Sequence, residues 1–112
     1  MKKENPAHKA LITVLKCPLE DLKTLSVEGI AKTIHSNRTY LSATFGSRMK
    51  FTLEDVIINE KISRSKDILK TDAEIPIKDL ATMMGFSESN YFIKVFRKRV
   101  GIPPGEYRKL WR

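Results

Sequence analysis

The stretch that decides the fold lies near the C-terminus, where residues 80–98 read LATMMGFSESNYFIKVFRK. The pattern predicts a short helix, a turn at Gly85 and a second helix capped by Ser87. Helical spacing divides the second helix into an apolar face and a polar, basic face. The apolar face carries Tyr91, Phe92, Val95, Phe96 and Val100, and the other carries Ser89, Asn90, Ile93, Lys94, Arg97 and Lys98. Such a helix can dock on a core and enter a DNA groove, although an ordinary surface helix shows the same pattern.

The same pattern occurs earlier in the chain, so the sequence contains an internal repeat. Val27-Glu28-Gly29-Ile30-Ala31 aligns with Ile77-Lys78-Asp79-Leu80-Ala81 at an offset of 50 positions, and the extra residue Phe86 raises the offset to 51 after the turn. The apolar face then pairs Tyr40 with Tyr91, Leu41 with Phe92, Thr44 with Val95, Phe45 with Phe96 and Met49 with Val100. Two copies are too few for a solenoid, so we expect two helix-turn-helix units in tandem.

The second copy resembles the signature of the AraC/XylS family of bacterial transcription regulators. The residues that carry the resemblance are Ile77, Leu80-Ala81, Gly85-Phe86-Ser87, Tyr91-Phe92, Val95-Phe96-Arg97-Lys98, Gly101-Ile102-Pro103-Pro104 and Glu106-Tyr107-Arg108. The first copy is similar more loosely, through Ile30-Ala31, Asn37-Arg38-Thr39-Tyr40-Leu41-Ser42 and Phe45. The resemblance covers residues 26–108. It implies an all-α DNA-binding domain of two helix-turn-helix subdomains, built as homeodomain-like three-helix units and joined by a long linker helix.

Composition agrees with a polyanionic partner. The 112 residues carry a formal net charge of +8, which favours nucleic acid first and an anionic membrane second. A single cysteine, Cys17, forms no intramolecular disulfide and is best interpreted as a small buried residue. A reducing cytoplasm is therefore the expected location. The residues after Met1 lead into no long apolar run, so we expect no signal peptide, no membrane-spanning stretch and no membrane partner.

Capping residues and prolines predict where the helices lie. A first helix is expected over residues 7–15, a second after the N-cap Ser26 and a third after the N-cap Asn37. Thr52 and Asp55 indicate a capping box at the start of one long helix over residues 53–70. We expect one DNA-binding domain over residues 1–112, with a first unit at about 7–52, the linker helix at 53–70 and a second unit at 71–112.

Turn residues differ between the two copies. His35 aligns with Gly85, so we interpret it as a turn residue and not as a metal ligand; the other histidine, His8, has no candidate ligands nearby. Lys50 stands where the second copy has Gly101. Lys50 therefore either adopts positive φ at a cost of about 1 kcal/mol, or the first unit builds this turn differently. The first alternative predicts that Lys50→Gly is stabilising.

Three classes of function compete. Sequence-specific transcription regulation is favoured by the repeat, the charge and the resemblance. The alternative is a non-specific or RNA-binding basic helical protein, which is disfavoured because Tyr40, Tyr91, Phe92 and Phe96 are all expected to be buried and leave no aromatic platform for bases. An enzyme is not expected, since the sequence offers no carboxylate pair, metal-ligand cluster or glycine-rich phosphate loop. For the same reason no cofactor and no metal are expected.

The candidate DNA-reading residues lie on the exposed faces of the two recognition helices. They are Arg38, Thr39, Ser42 and Ala43 in the first unit and Ser89, Asn90, Ile93 and Lys94 in the second, with Arg97 and Lys98 on phosphates. Asn90 suits adenine and Lys94 suits guanine, while Thr39, Ala43 and Ile93 could pack on thymine methyl groups. Partial burial is the alternative for Ile93.

The linker helix sets the expected reach on DNA. Eighteen residues span about 27 Å, close enough to the roughly 34 Å between successive major grooves for one chain to cover two of them. The expected partners are promoter or operator double-stranded DNA and RNA polymerase. The chain is expected to be either a fragment of a larger regulator or a small stand-alone regulator.

Overall fold

The computed structural model describes residues 5–111, and every regular element in that range is helical. The elements are α1 (Pro6–Leu15), a 3-10 helix (Leu19–Thr24), α2 (Val27–Thr33), α3 (Arg38–Arg48), α4 (Leu53–Thr71), α5 (Ile77–Met83), α6 (Ser89–Val100) and α7 (Pro104–Lys109). The predicted all-α fold with two helix-turn-helix units is confirmed. The long helix ends one residue beyond its predicted end.

The chain folds as two compact units. The first contains residues 5–18 and Leu25–Glu60, and the second contains Leu19–Thr24 and residues 61–111. The division falls inside α4, so this helix contributes its first turns to one unit and its last turns to the other. The short 3-10 helix, whose Leu22 is fully buried, belongs with the second unit, because the Lys23 backbone lies directly against Gly85.

The core of the first unit is built from one face of each of its four helices. Leu41 and Phe45 of α3 are fully buried in it, as the apolar spacing predicted. The buried cluster is Ala7, Ala10, Val14, Val27, Ile30, Ala31, Leu41, Phe45, Leu53, Val56 and Ile57. Burying a large apolar side chain of this kind stabilises the fold by about 1.5–3 kcal/mol, so these contacts hold α3 in place.

The second unit has an aromatic core. Ring centroids follow one another from Phe86 to Phe92 at 5.2 Å, from Phe92 to Phe96 at 5.9 Å and from Phe96 to Tyr107 at 5.6 Å. Phe92 and Phe96 are fully buried, and tilted or edge-on aromatic pairs add stabilisation beyond their buried area. These contacts fix which face of α6 turns inward and which face remains outside.

The predicted caps of the first unit are confirmed. Ser26 Oγ accepts a hydrogen bond from the Gly29 amide at 3.0 Å, and Asn37 Oδ1 accepts from the Tyr40 amide at 2.8 Å. Thr52 and Asp55 form the predicted capping box, with reciprocal bonds of 3.1 and 3.3 Å. Each bond satisfies an amide at a helix start that has no partner within the helix.

The predicted cap of α6 is wrong. This helix begins at Ser89 with Glu88 at the N-cap, not Ser87, and the Glu88 side chain makes no cap hydrogen bond. The reason is Phe86, whose ring packs on Phe92 and Tyr91 and which adds one residue to the turn. The offset of 51 that holds after this turn places Glu88, not Ser87, opposite the N-cap Asn37.

The turns after the two recognition helices are built differently. Gly101 ends α6 in the left-handed region with φ 102°, whereas α3 ends at Arg48 and Met49 is extended, with φ −111° and ψ 156°. Among residues 5–111, His35 alone of the non-glycine residues has positive φ, at 60°. The turn role of His35 is therefore confirmed, and positive φ at Lys50 is excluded. The second alternative for Lys50, a turn of another construction, holds.

Candidate nucleic-acid interface

Helix α6 presents the more strongly charged of the two candidate faces. Phe92 and Phe96 anchor its inner side, and Asn90, Lys94, Arg97 and Lys98 are exposed on the opposite side. Ile93 and Ser89 are half-buried at the margins, so the partial burial expected as the alternative for Ile93 is observed. Arg97, Lys98 and Arg99 occupy the last turn, where cations also interact favourably with the helix dipole.

Helix α3 presents a face of small side chains. Thr39 and Ala43 are exposed and Ser42 is half-buried, on a helix that Leu41 and Phe45 anchor from below. Gly46 follows on the same outer face, and a Cβ added there would meet nothing within 4 Å. Because the side chains on this face are small, the α3 backbone can approach a flat or concave partner closely.

Arg38 differs from the other candidate residues because it already has partners in the protein. It is the first residue of α3, and its guanidinium lies 3.6 Å from a carboxylate oxygen of Glu28 in α2 and 3.6 Å from one of Glu54 in α4. All three side chains remain more than half exposed. An approaching ligand can thus reach Arg38, but it meets two carboxylates as well.

The predicted burial of Tyr40 and Tyr91 is wrong. These tyrosines occupy matched positions on α3 and α6, and 55% and 54% of their surface is exposed. Each lies about 100° around the helix axis from its neighbour Leu41 or Phe92, which places it at the edge of the buried face. Both tyrosines therefore flank the candidate interface. A tyrosine has an apolar ring and a polar tip, which is a signal for such an edge position.

Residues 5–111 provide neither a metal-binding group nor a membrane-spanning helix. Over residues 5–111 no group of three or more His, Cys, Asp or Glu side chains is placed to hold a metal ion. None of the helices from α1 to α7 is long and apolar enough to cross a membrane. Cys17 is buried and reduced, and its thiol lies 3.5 Å from the Pro18 carbonyl oxygen.

The geometry defines a class of protein. Two units each hold a helix by a buried apolar face and leave its polar face outside, and each places that helix after a turn with positive φ. This is the construction of a helix-turn-helix DNA-binding domain.

Comparison with known sequences identifies the family. A family model described as a helix-turn-helix domain matches residues 30–110. The chain is 30% identical over 115 residues to the uncharacterized helix-turn-helix transcriptional regulator YfiF of Bacillus subtilis (strain 168), covering 99% of this chain and 36% of YfiF. It is 31% identical over 88 residues to the melibiose operon regulatory protein of Escherichia coli (strain K12), covering 79% of this chain and 29% of that protein. The chain belongs to the AraC/XylS family and has that family's DNA-binding domain.

Solved structures show the same fold. The C-terminal domain of AraT, a response regulator from Geobacillus stearothermophilus, matches with a TM-score of 0.78 and 20% identity over 98% of this chain and 88% of that one. The DNA-binding domain of AdpA, in complex with a target DNA, matches with a TM-score of 0.76 and 23% identity over 93% of this chain and 94% of that one. The chain spans little more than a third of the length of YfiF, and 19% of the xylose operon regulatory protein of Haemophilus influenzae.

Proposed function

We propose that this chain regulates transcription by inserting α3 and α6 into adjacent major grooves of promoter or operator DNA. The observation that carries the proposal is the repeated helix, buried through Leu41 and Phe45 in one unit and through Phe92 and Phe96 in the other. Relatives named as operon regulators and the DNA complex of AdpA support it. The net charge of +8 supplies the attraction to phosphate that all such proteins need.

The second unit is proposed to make the stronger base contacts. Asn90 has the donor and acceptor pair that matches an adenine edge, and Lys94 can donate to the O6 and N7 atoms of guanine. Arg97 and Lys98 follow on the same exposed face and are assigned to phosphates, which fix the position of the helix without reading sequence. Ser89 and the half-buried Ile93 contribute at the margin.

The first unit is proposed to read shape and methyl groups. Thr39, Ser42 and Ala43 carry short side chains, and those of Thr39 and Ala43 suit contact with the C5-methyl group of thymine. Arg38 is the one candidate residue there with a charge, and its guanidinium suits guanine. The expected operator is asymmetric, because the two helices present different side chains at matched positions.

Helix α4 supports a spacing of one helical turn between the two contacted boxes. It has 19 residues and contains neither Gly nor Pro, and such a helix is about 28 Å long. Successive major grooves on one face of DNA are roughly 34 Å apart. One chain is therefore expected to bind one site without a partner copy.

The protein is proposed to work in the bacterial cytoplasm, where DNA-bound chain would contact RNA polymerase. The greater length of the named relatives supports a role as one part of a larger regulator, with a small stand-alone regulator as the alternative. A pull-down of polymerase on operator DNA, with and without the chain, tests this partner.

The decisive experiment uses the chain itself and a pool of random duplexes. Selection for binding at physiological salt should enrich an asymmetric sequence, and titration should show one chain per site with a large preference over random DNA.

A variant of the selected site tests the spacing: it carries about 5 extra base pairs between the two boxes, which turns one box to the opposite side of the duplex. That site should lose most of the specific affinity. Equal affinity for selected duplex, random duplex and RNA would instead support the non-specific alternative.

A further inference from the structure

The two ion pairs of Arg38 join three helices of the first unit. Glu28 comes from the first turn of α2, Arg38 starts α3, and Glu54 comes from the first turn of α4. The Nη1 atom faces Glu28 and the Nη2 atom faces Glu54, each at 3.6 Å. The three side chains, which we call the Arg38 triad, carry one positive and two negative charges.

The second unit has no such triad. The matched positions, at offsets of 50 and 51, hold Lys78 for Glu28, Ser89 for Arg38 and Gly105 for Glu54. The net charge at this place is therefore −1 in the first unit and +1 in the second. The difference lies at the N-terminus of the recognition helix, which is one of the places where DNA backbone approaches a helix-turn-helix unit.

Stability of the fold does not account for the triad. The side chains of Arg38, Glu28 and Glu54 are 54%, 70% and 52% exposed. Exposed ion pairs contribute little, because water and salt screen them and the long side chains must be ordered. Each acid lies in the first turn of its helix and interacts favourably with the helix dipole, but this interaction does not require an arginine between the two acids.

The triad has a different effect on the two kinds of DNA atom that an arginine can bind. A phosphate carries a full negative charge, so it is repelled by Glu28 and Glu54 when it approaches Arg38. The O6 and N7 acceptors of guanine carry no formal charge and are repelled far less. A guanidinium has five N–H donors, so Arg38 can keep its carboxylate partners and still donate to a base edge.

We propose that Glu28 and Glu54 are specificity-determining residues, which keep Arg38 from binding phosphate and leave it to a guanine edge. This inference rests on the proposed DNA-binding function and adds a role for two acids that are not among the candidate DNA-reading residues. The carboxylates weaken binding to random DNA, where phosphate contacts dominate, more than they weaken binding to the operator. Discrimination by repulsion of the wrong ligand is a general route to specificity.

The test is the double variant Glu28→Gln and Glu54→Gln, titrated against selected and random duplexes over a range of salt. Freed from its carboxylates, Arg38 should bind phosphate. Affinity for random DNA should then rise about 3-fold to 10-fold at low salt, and the slope of log K against log salt should steepen by about 0.9. The ratio of specific to random affinity should fall. Circular dichroism should show nearly unchanged folding, since the substituted groups are exposed.

A matched control removes the same charge elsewhere. Asp79 and Glu106 are exposed acids in the first turns of α5 and α7, the second-unit counterparts of α2 and α4. The variant Asp79→Asn and Glu106→Gln therefore makes the same change in net charge and in helix-dipole interactions. Its salt slope and its specificity ratio should remain close to those of the unmodified chain.

Two outcomes would overturn the proposal. One is an unchanged or lower affinity of the Glu28 and Glu54 variant for random DNA, which would mean that the acids only orient Arg38 or do nothing. The other is an equal effect of the control variant, which would mean that net charge alone is responsible. Failure of the DNA-binding function itself is distinguishable, because the unmodified chain would then show no selected sequence at all.

Discussion

The recognition helices of the two units have matching buried faces but different exposed faces. Leu41 and Phe45 repeat as Phe92 and Phe96, and all four side chains are fully buried. On the outer faces, Thr39 is matched by Asn90, Ala43 by Lys94 and Gly46 by Arg97. The packing that holds a recognition helix is thus kept in both copies, while at these matched positions only the second unit has long basic side chains, Lys94 and Arg97. We therefore expect the second unit to supply most of the directed base contacts.

The turn before each recognition helix shows a second difference. His35 and Gly85 both have positive φ, at 60° and 86°. A side chain at His35 is tolerated, whereas a Cβ at Gly85 would overlap the backbone carbonyl oxygen of Lys23 in the 3-10 helix. The same backbone conformation is therefore a local preference in the first unit and a packing requirement in the second.

The largest expected effect follows from that requirement. Gly85→Ala should destabilise the domain by roughly 3 kcal/mol, because positive φ costs about 1–2 kcal/mol for alanine and the Lys23 backbone must also move. The matched change His35→Gly should be neutral or stabilising by up to about 1 kcal/mol, since glycine removes the strain of positive φ. Urea denaturation of both variants measures the free energies of unfolding. Equal losses at the two positions would contradict the distinction.

The next effect concerns DNA affinity. Lys94→Ala should cost about 1–3 kcal/mol on the selected site and much less on random DNA, because it removes a base contact. Arg97→Ala and Lys98→Ala should weaken all sequences alike and flatten the salt dependence. Lys109→Ala, an exposed cation on α7, serves as the control for charge alone. A loss for Lys94→Ala that is the same on both kinds of DNA would exclude its base-reading role.

Much of this fold could be predicted from periodicity and capping chemistry. The buried faces of α3 and α6 follow from apolar residues at helical spacing, and the starts of α2, α3 and α4 follow from Ser26, Asn37 and Thr52. These signals are local: a side chain and an amide three residues away decide a cap. The repeat then fixed the number of units without any three-dimensional information.

The features that could not be predicted depend on position relative to other elements. Tyr40 and Tyr91 lie at the edge of a buried face, and whether such an edge is covered depends on neighbouring helices. The ion pairs of Arg38 join residues from three helices, so no sequence spacing reveals them. The alignment of Lys50 with Gly101 does not reveal that α3 ends earlier than α6, or that the Phe51 ring packs edge-on against Phe45 at 5.9 Å.

A smaller effect is expected at Gly46, where one substitution distinguishes an effect on fold stability from an effect on DNA affinity. This glycine lies inside α3 with open space around it, so Gly46→Ala should stabilise the domain by about 1 kcal/mol. If the α3 backbone approaches DNA closely, the same change should lower the affinity for the selected site. Gly105→Ala is the matched control, because a Cβ added at Gly105 would also have no atom within 4 Å. A more stable Gly46→Ala variant with unchanged DNA affinity would exclude close approach at this position.

The smallest effect concerns the turn after α3, where the two units diverge most clearly. Lys50→Gly is stabilising only if Lys50 has positive φ, and among residues 5–111 only His35, Gly85 and Gly101 have positive φ. Glycine at position 50 then gains nothing in the folded state and adds freedom to the unfolded chain. We therefore expect Lys50→Gly to destabilise the domain by about 0.5 kcal/mol, within the usual range for such changes.

Two control variants show whether the small destabilisation by Lys50→Gly comes from backbone freedom. Lys50→Ala removes the same side chain without adding backbone freedom, so it should leave stability nearly unchanged. Gly101→Ala, at φ 102°, should cost about 1–2 kcal/mol, because alanine is strained there. All three free energies of unfolding come from parallel urea titrations. Stabilisation by Lys50→Gly would mean that the first unit adopts the Gly101 turn after all, and that the two units end their recognition helices in the same way.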